Sequence, residues 1–163
     1  MPLETEHDHN DVPHQPAVPP RRIVVGVDPS AHAASALRWA AQMAAGCGAS
    51  LVVVHGQGLL EGSGLRPRFE IERFVEDTLA SLEREGSSRP PTIILTHPGP
   101  GAQALMTAAR EQDVDLIVVG QRGVGGSLRP LGSTSEWVLA QAEVPVVVLP
   151  LHPSPRPAGP TDQ

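Results

Sequence analysis

The sequence predicts an α/β fold in which a parallel five-stranded sheet carries helices on both faces. Five short runs of β-branched and aliphatic residues alternate with four helical patterns along the chain. The runs are apolar at nearly every position, as a strand that is covered on both faces requires. Strands that alternate with helices form parallel sheets joined by right-handed crossovers. The pattern therefore predicts one Rossmann-like, doubly wound domain.

The apolar runs predict strands at residues 22–28, 50–55, 92–96, 115–120 and 144–150. The segments between them predict helices over about 31–46, 68–86 and 101–112, and a fourth that begins at Ser133. Ser30 is expected to cap the first helix, and Trp39 and Trp137 are expected to be packing residues. Residues 1–20 and 151–163 are polar and rich in proline, so we expect disordered tails around a domain at 21–150. The histidines of the first tail are interpreted as solvated rather than as metal ligands.

Composition excludes several classes of function. All 12 basic residues are Arg, which excludes a phosphate-loop lysine, a Schiff-base lysine and a lysine general base. The net charge of −6 favours neither nucleic acid nor an anionic membrane as a partner. The single cysteine, Cys47, excludes an internal disulfide and is interpreted as a packed side chain. With no apolar run of about 18 residues and no pattern of a signal peptide, the chain is expected to be cytoplasmic.

A glycine-rich run, GQRGVGGSLRPLG, links the fourth strand at Gly120 to the fourth helix. Glycines and backbone N–H groups at a helix N-terminus can hold phosphate. Candidate contributors are the backbones of Gly123, Gly125 and Gly126, the hydroxyls of Ser133 and Thr134, and the guanidinium of Arg122 or Arg129. The alternative is a capping box in which Ser133 caps the helix and Glu136 reaches back, and which needs no ligand.

Asp28 ends the first strand and precedes the first helix. It either assists the helix cap or accepts hydrogen bonds from ribose hydroxyls, as acidic residues at such strand ends do. His55, at the end of the second strand, is not assigned a catalytic role. Neither a catalytic triad nor a pair of carboxylates with suitable spacing stands out.

The chain resembles the universal stress protein family over about residues 21–150. The resemblance rests on the strand that ends in Asp28, the helix SALRWA, the strand VVVH, the segment DLIVVGQRGVGGSLRPLGSTSEWVL and the strand VPVVVLP. It implies a parallel sheet in the order 3-2-1-4-5. In one branch of the family, it also implies ATP, with or without Mg²⁺, in the crevice where the chain direction reverses between strands one and four.

The resemblance implies three groups of residues around ATP. Near adenine and ribose it places Gly26, Asp28 and the backbone of Gly56. Along the sugar and first phosphates it places Gly120, Arg122 and Gly123. Around the phosphate tail it places Gly132, Ser133 and Thr134.

Three departures from the family pattern stand out. The signature Gly, two residues, Gly, nine residues, Gly, Ser or Thr is matched, except that only eight residues, among them Pro130, separate Gly123 from Gly132. Pro29 and Gly101 stand where the family usually has Gly and Pro. Gly56 replaces a usual aliphatic residue that would pack on the base.

The preferred function is an ATP-binding stress-response or signalling module that is not an enzyme, with at most very slow hydrolysis. An interaction or structural protein of the same fold without nucleotide is the main alternative. A weak ATPase is disfavoured because no lysine and no positioned base are present. The apolar edge strand, as in relatives, implies a homodimer paired through Val146, Val147, Val148 and Leu149.

Overall fold

The computed structural model of the chain describes residues 15–58, 68–123 and 130–151. Its strands are β1 (Arg22–Gly26), β2 (Ser50–Gly56), β3 (Thr92–His97), β4 (Leu116–Gly120) and β5 (Val146–Leu149). Its helices are α1 (Ala31–Cys47), α2 (Arg68–Arg84), α3 (Gly101–Glu111) and α4 (Ser133–Gln141). These confirm the nine predicted elements, with bounds that differ by at most two residues. Within the described ranges, no helix has both the length and the apolar character needed to cross a membrane.

The strands pair in parallel in the order β3-β2-β1-β4-β5, which confirms the order that the resemblance implies. β1 lies at the centre, between β2 and β4. Helices α1 and α2 cover one face, where Val25 and Val53 are buried, and α3 and α4 cover the other, where Val24 and Val52 are buried. Because successive residues of a strand point to opposite faces, a strand covered on both faces is apolar throughout.

Helix α1 begins and ends at the residues that its sequence signals indicate. The hydroxyl of Ser30 accepts the N–H of Ala33 at 3.1 Å, which confirms the predicted cap. At the other end, Gly48 adopts the left-handed conformation, with φ of 71°, and its N–H donates to the carbonyl of Ala44. The start of α1 is therefore fixed immediately after β1.

The two tryptophans differ in how far they are exposed to solvent. Trp39 and Cys47 pack against the core beneath α1, as predicted. The prediction is wrong for Trp137, which is 41% exposed. Helix α4 turns Ser135 and Val138 toward the protein interior. At about 100° per residue, Trp137 lies about 200° around the helix from Ser135 and about 100° from Val138, so it points elsewhere.

A buried carboxylate ties the segment before β1 to the start of β4. Asp115 is 4% exposed, and its oxygens accept the N–H groups of Ala17 at 2.8 Å, Arg21 at 2.8 Å and Arg22 at 3.1 Å. Burial alone would raise the pKa of Asp115, but these three donors and the charge of Arg21 outweigh it and lower the pKa. Ala17 is thus held to the domain, whereas residues 1–14 and 152–163 of the predicted tails lie outside the described residues.

We expect Asp115→Asn to lower the free energy of unfolding by about 2 kcal/mol at neutral pH, because an amide cannot satisfy three N–H donors as a carboxylate does. The pKa of Asp115 is lower in the folded than in the unfolded chain. Its contribution is therefore complete above the unfolded value of about 3.9 and is lost as the pH falls through the folded pKa. Urea unfolding of both proteins from neutral pH down to about pH 2 measures the effect.

The matched control is Glu111→Gln, which neutralises an exposed carboxylate at the end of α3 and should change stability by less than about 0.5 kcal/mol. Equal stability of Asp115→Asn and wild type at neutral pH, or a difference that grows in acid, would contradict the role of Asp115.

Candidate functional site

A crevice opens at the carboxyl edge of the sheet between β1 and β4. The chain leaves β1 toward α1 on one face and leaves β4 toward α4 on the other, so the two connections splay apart. The crevice has a volume of about 350 Å³. This lies within the range of about 300–1,000 Å³ that is usual for small-molecule sites.

The nine residues that the sequence and the resemblance assign to the ATP site all line this crevice: Gly26, Asp28, Gly56, Gly120, Arg122, Gly123, Gly132, Ser133 and Thr134. Lining residues that the sequence did not assign include Val27, His55, Gly101 and Ser135. The candidate contributors Gly125, Gly126 and Arg129 lie outside the described residues. The crevice thus combines the ends of β1, β2 and β4 with the starts of α1, α3 and α4.

Gly120 allows β4 to end directly against α1. A Cβ atom on Gly120 would lie 2.8 Å from the carbonyl oxygen of His32, a main-chain atom in the first turn of α1. The hydroxyl of Ser135 donates to the carbonyl of Gly120 at 2.7 Å. Gly120 therefore positions the start of α1 by close packing and the first turn of α4 by a hydrogen bond.

The carboxylate of Asp28 lies directly against the backbone of Gly123. Its Oδ2 is 2.6 Å from the position that a Cβ atom on Gly123 would take. The hydroxyl of Ser30 supplies a side-chain cap of α1. The end of β1 and the glycine-rich run face the same space, as the resemblance implies.

Helix α4 begins at Ser133, and Gly132 is its N-cap, with extended dihedral angles and no side-chain capping bond. The alternative of a capping box with Ser133 as the cap is therefore wrong. The physical reason is a backbone bond: the N–H of Glu136 donates to the carbonyl of Gly132 at 3.0 Å, which makes Gly132 the residue before the first helical turn. Ser133 is the first helical residue, and the positive end of α4 opens on the crevice.

Gln121 closes the neck of the glycine-rich run. Its carbonyl accepts the N–H of Gly132 at 2.8 Å, and its side-chain Nε2 donates to the carbonyl of Pro130 at 2.9 Å. The two ends of the run are therefore held together despite the shorter spacing. A glutamine after a strand is too common a pattern to have indicated this role from the sequence.

Packing against α3 explains why a glycine stands at position 56, which the sequence did not reveal. A Cβ atom on Gly56 would lie 2.5 Å from the Cα of Gly101 and 2.9 Å from the carbonyl carbon of Pro100. The start of α3 therefore lies against the end of β2. The departures at Gly56 and Gly101 are complementary, because they bring two backbones into contact and add a third helix start to the crevice.

The sequence model of the universal stress protein family matches residues 20–150. The chain belongs to the universal stress protein family. It is 34% identical over 137 residues to the "Universal stress protein in QAH/OAS sulfhydrylase 3'region" of Thermus aquaticus, a match that covers 79% of this chain and 98% of that protein.

Solved universal stress proteins have the same fold. One, in complex with cAMP, superposes with a TM-score of 0.60 at 24% identity and covers 80% of this chain and 96% of its own. Another, from Archaeoglobus fulgidus in complex with dAMP, has a TM-score of 0.54 at 24% identity and covers 83% and 98%. These likenesses establish the architecture of this universal stress protein, a five-stranded parallel sheet between two helical layers.

We expect Gly56→Ala to destabilise this universal stress protein by about 2 kcal/mol, because the added methyl group meets main-chain atoms that cannot rotate away. Gly46→Ala is the matched control, since a Cβ atom there meets nothing within 4 Å and Gly46 lies inside α1. Alanine at a helical position should raise stability by up to about 1 kcal/mol. Urea unfolding measures both, and a Gly56→Ala protein as stable as wild type would show that the contact between β2 and α3 yields easily.

Proposed function

We propose that this protein binds ATP in the crevice between β1 and β4 and acts as a cytoplasmic stress-response or signalling module. The observation that carries the proposal is the carboxylate of Asp28 against Gly123, in the space on which the start of α4 opens. A carboxylate at the end of a strand suits ribose hydroxyls. A helix N-terminus suits phosphate. One crevice therefore offers partners for both halves of a nucleotide.

The lining of the crevice supports an anionic ligand. Arg122, Ser133 and Thr134 line the crevice and could pair with phosphate, and glycines let a ligand approach the main chain. Two universal stress proteins of this fold have been solved in complex with cAMP and with dAMP. Both ligands are adenine nucleotides, which supports the same base here.

Mg²⁺ is proposed to enter with the triphosphate rather than to occupy a site of its own. Among the described residues, no three His, Cys, Asp or Glu side chains group as they would around a metal ion. Phosphate oxygens and water would supply most ligands of Mg²⁺, as is usual for its nucleotide complexes.

We further propose that the bound nucleotide acts through conformation or partners rather than through turnover. The chain has no lysine, and Asp28 is the one carboxylate among the described lining residues. It lies at the proposed ribose position, away from the phosphate tail. A base for attack on the terminal phosphate is thus not supplied by the carboxylates of the lining.

The proposal is tested on purified protein by analysing the supernatant for nucleotide after denaturation and by melting with added ATP and Mg²⁺. ATP at about 100 times its dissociation constant should stabilise wild type by about 2.7 kcal/mol, which raises the melting temperature by several degrees.

Asp28→Ala should lower the affinity for ATP by about tenfold to a hundredfold, because it removes a charged acceptor from the ribose. Asp77→Ala, on the exposed side of α2, is the control and should bind as wild type does. Absence of both released nucleotide and a melting shift would favour the interaction protein instead.

We also propose a homodimer in which β5 pairs antiparallel with its copy. β5 is an edge strand, and none of its residues carries a charge that would blunt the edge. The carbonyl of Leu149 accepts the N–H of Gln121, and that of Pro145 accepts the N–H of Ile117. In a parallel ladder this alternation turns the N–H and C=O groups of Val146 and Val148 away from β4. Large apolar side chains near this edge are exposed by 41–45%: Trp137 and Leu139 on α4, and Leu151 just after β5.

Val148→Pro removes an outward N–H without removing a bond to β4, and an edge strand tolerates proline. We expect it to convert the dimer to a monomer at micromolar concentration, as measured by size exclusion with light scattering. Val148→Thr, which keeps the N–H and the branched shape, should leave the dimer in place. A wild type that is monomeric under these conditions would contradict the proposed dimer.

A further inference from the structure

The ladder of backbone hydrogen bonds between β1 and β2 ends one bond earlier than their register allows. Gly26 is the last residue of β1 paired with β2, opposite Val54. The N–H of Val27 still donates to the carbonyl of Val54 at 2.8 Å. In a parallel ladder the next bond runs from the N–H of Gly56 to the carbonyl of Val27. Within residues 15–58 the structure has no such bond, and the Nδ1 atom of His55 lies 2.9 Å from that carbonyl instead.

The imidazole of His55 therefore takes the place of a ladder bond. A carbonyl oxygen can only accept, so Nδ1 carries a proton and donates it. His55 is 8% exposed, and its backbone pairs with Thr96 on β3, which fixes the residue from the other side. The bond joins the residue before Asp28 to the residue before Gly56.

The N–H of Gly56 is left on the wall of the crevice as a result. Gly56 lines the crevice, and it packs against the start of α3, since a Cβ atom on Gly56 would lie 2.5 Å from the Cα of Gly101. A ring nitrogen of adenine is an acceptor that suits a backbone donor. The N–H of Gly56 and the carboxylate of Asp28 then lie on two walls whose separation the His55 bond sets.

We propose that His55 is a positioning residue that keeps the N–H of Gly56 unpaired for the base and sets its distance from Asp28. The role rests on the proposed ATP site. It makes His55 a determinant of base binding and not of phosphate binding.

Amide hydrogen exchange of the nucleotide-free protein tests the first half. The N–H of Gly56 should exchange at least about tenfold faster than that of Val54, which faces β1 inside the ladder. In His55→Leu the carbonyl of Val27 becomes available, so the N–H of Gly56 should become protected. His55→Asn keeps an N–H donor near the position of Nδ1 and should keep Gly56 in fast exchange. Slow exchange of Gly56 in wild type, or no change in His55→Leu, overturns the role.

Titration with ATP and with inorganic triphosphate tests the second half. His55→Leu should bind ATP about tenfold more weakly, the effect of losing one positioned hydrogen bond, and triphosphate as tightly as wild type. His55→Asn should bind both nearly as wild type does. If His55→Leu does not fold, the exchange of Gly56 in wild type still decides the role, because slow exchange overturns it. Equal losses for both ligands mean a merely structural role and overturn the proposal. A wild type that binds neither ligand overturns the proposed ATP site, whereas the exchange of Gly56 still decides whether His55 frees that amide.

Discussion

The carboxyl edge of this sheet depends on main-chain contact between strands and helices at two glycines. At Gly120 a Cβ atom would lie 2.8 Å from the first turn of α1, and at Gly56 it would lie 2.5 Å from the start of α3. Neither helix can yield as a flexible side chain would, so each contact excludes any other residue without movement of the backbone. These two contacts set how closely the helix starts approach the strand ends. They therefore contribute to the shape of the crevice.

The convergence of helix starts reconciles the acidic chain with the anion site that we propose. The net charge is −6, yet the starts of α1, α3 and α4 all line the crevice, and each carries about half a positive charge. Arg122 adds a full charge beside them. The attraction is local, which agrees with the absence of a broad basic field for nucleic acid. Among the described lining residues, Asp28 alone carries a negative charge, and it lies where we propose the neutral ribose, which suits a carboxylate better than a phosphate does.

The parts of the structure that depend on local patterns could be predicted from the sequence, because apolar runs and glycines determine strands, helices and their ends. The contacts that fix these parts to each other could not. The sequence pattern predicts only that Asp115 starts a strand. The backbone N–H groups that donate to its carboxylate lie 93–98 residues away along the chain. Ser135 is buried only because of the rotation of α4 on the sheet. Ser133 and Glu136 match a capping box, but the bond of Ser135 to Gly120 holds the first turn of α4 so that Gly132 is the N-cap.

The shorter spacing between Gly123 and Gly132 has less effect than a comparison of sequences suggests. The start of α4 is fixed by the bond from Ser135 to Gly120 at 2.7 Å, which does not involve the glycine-rich run. The neck of the run is closed by Gln121, whose bonds to Pro130 and Gly132 join residues at its two ends. Both sets of bonds involve only residues outside 124–129. The proposed phosphate-binding end of α4 is thus positioned by β4, and the missing residue is a weak argument against a nucleotide.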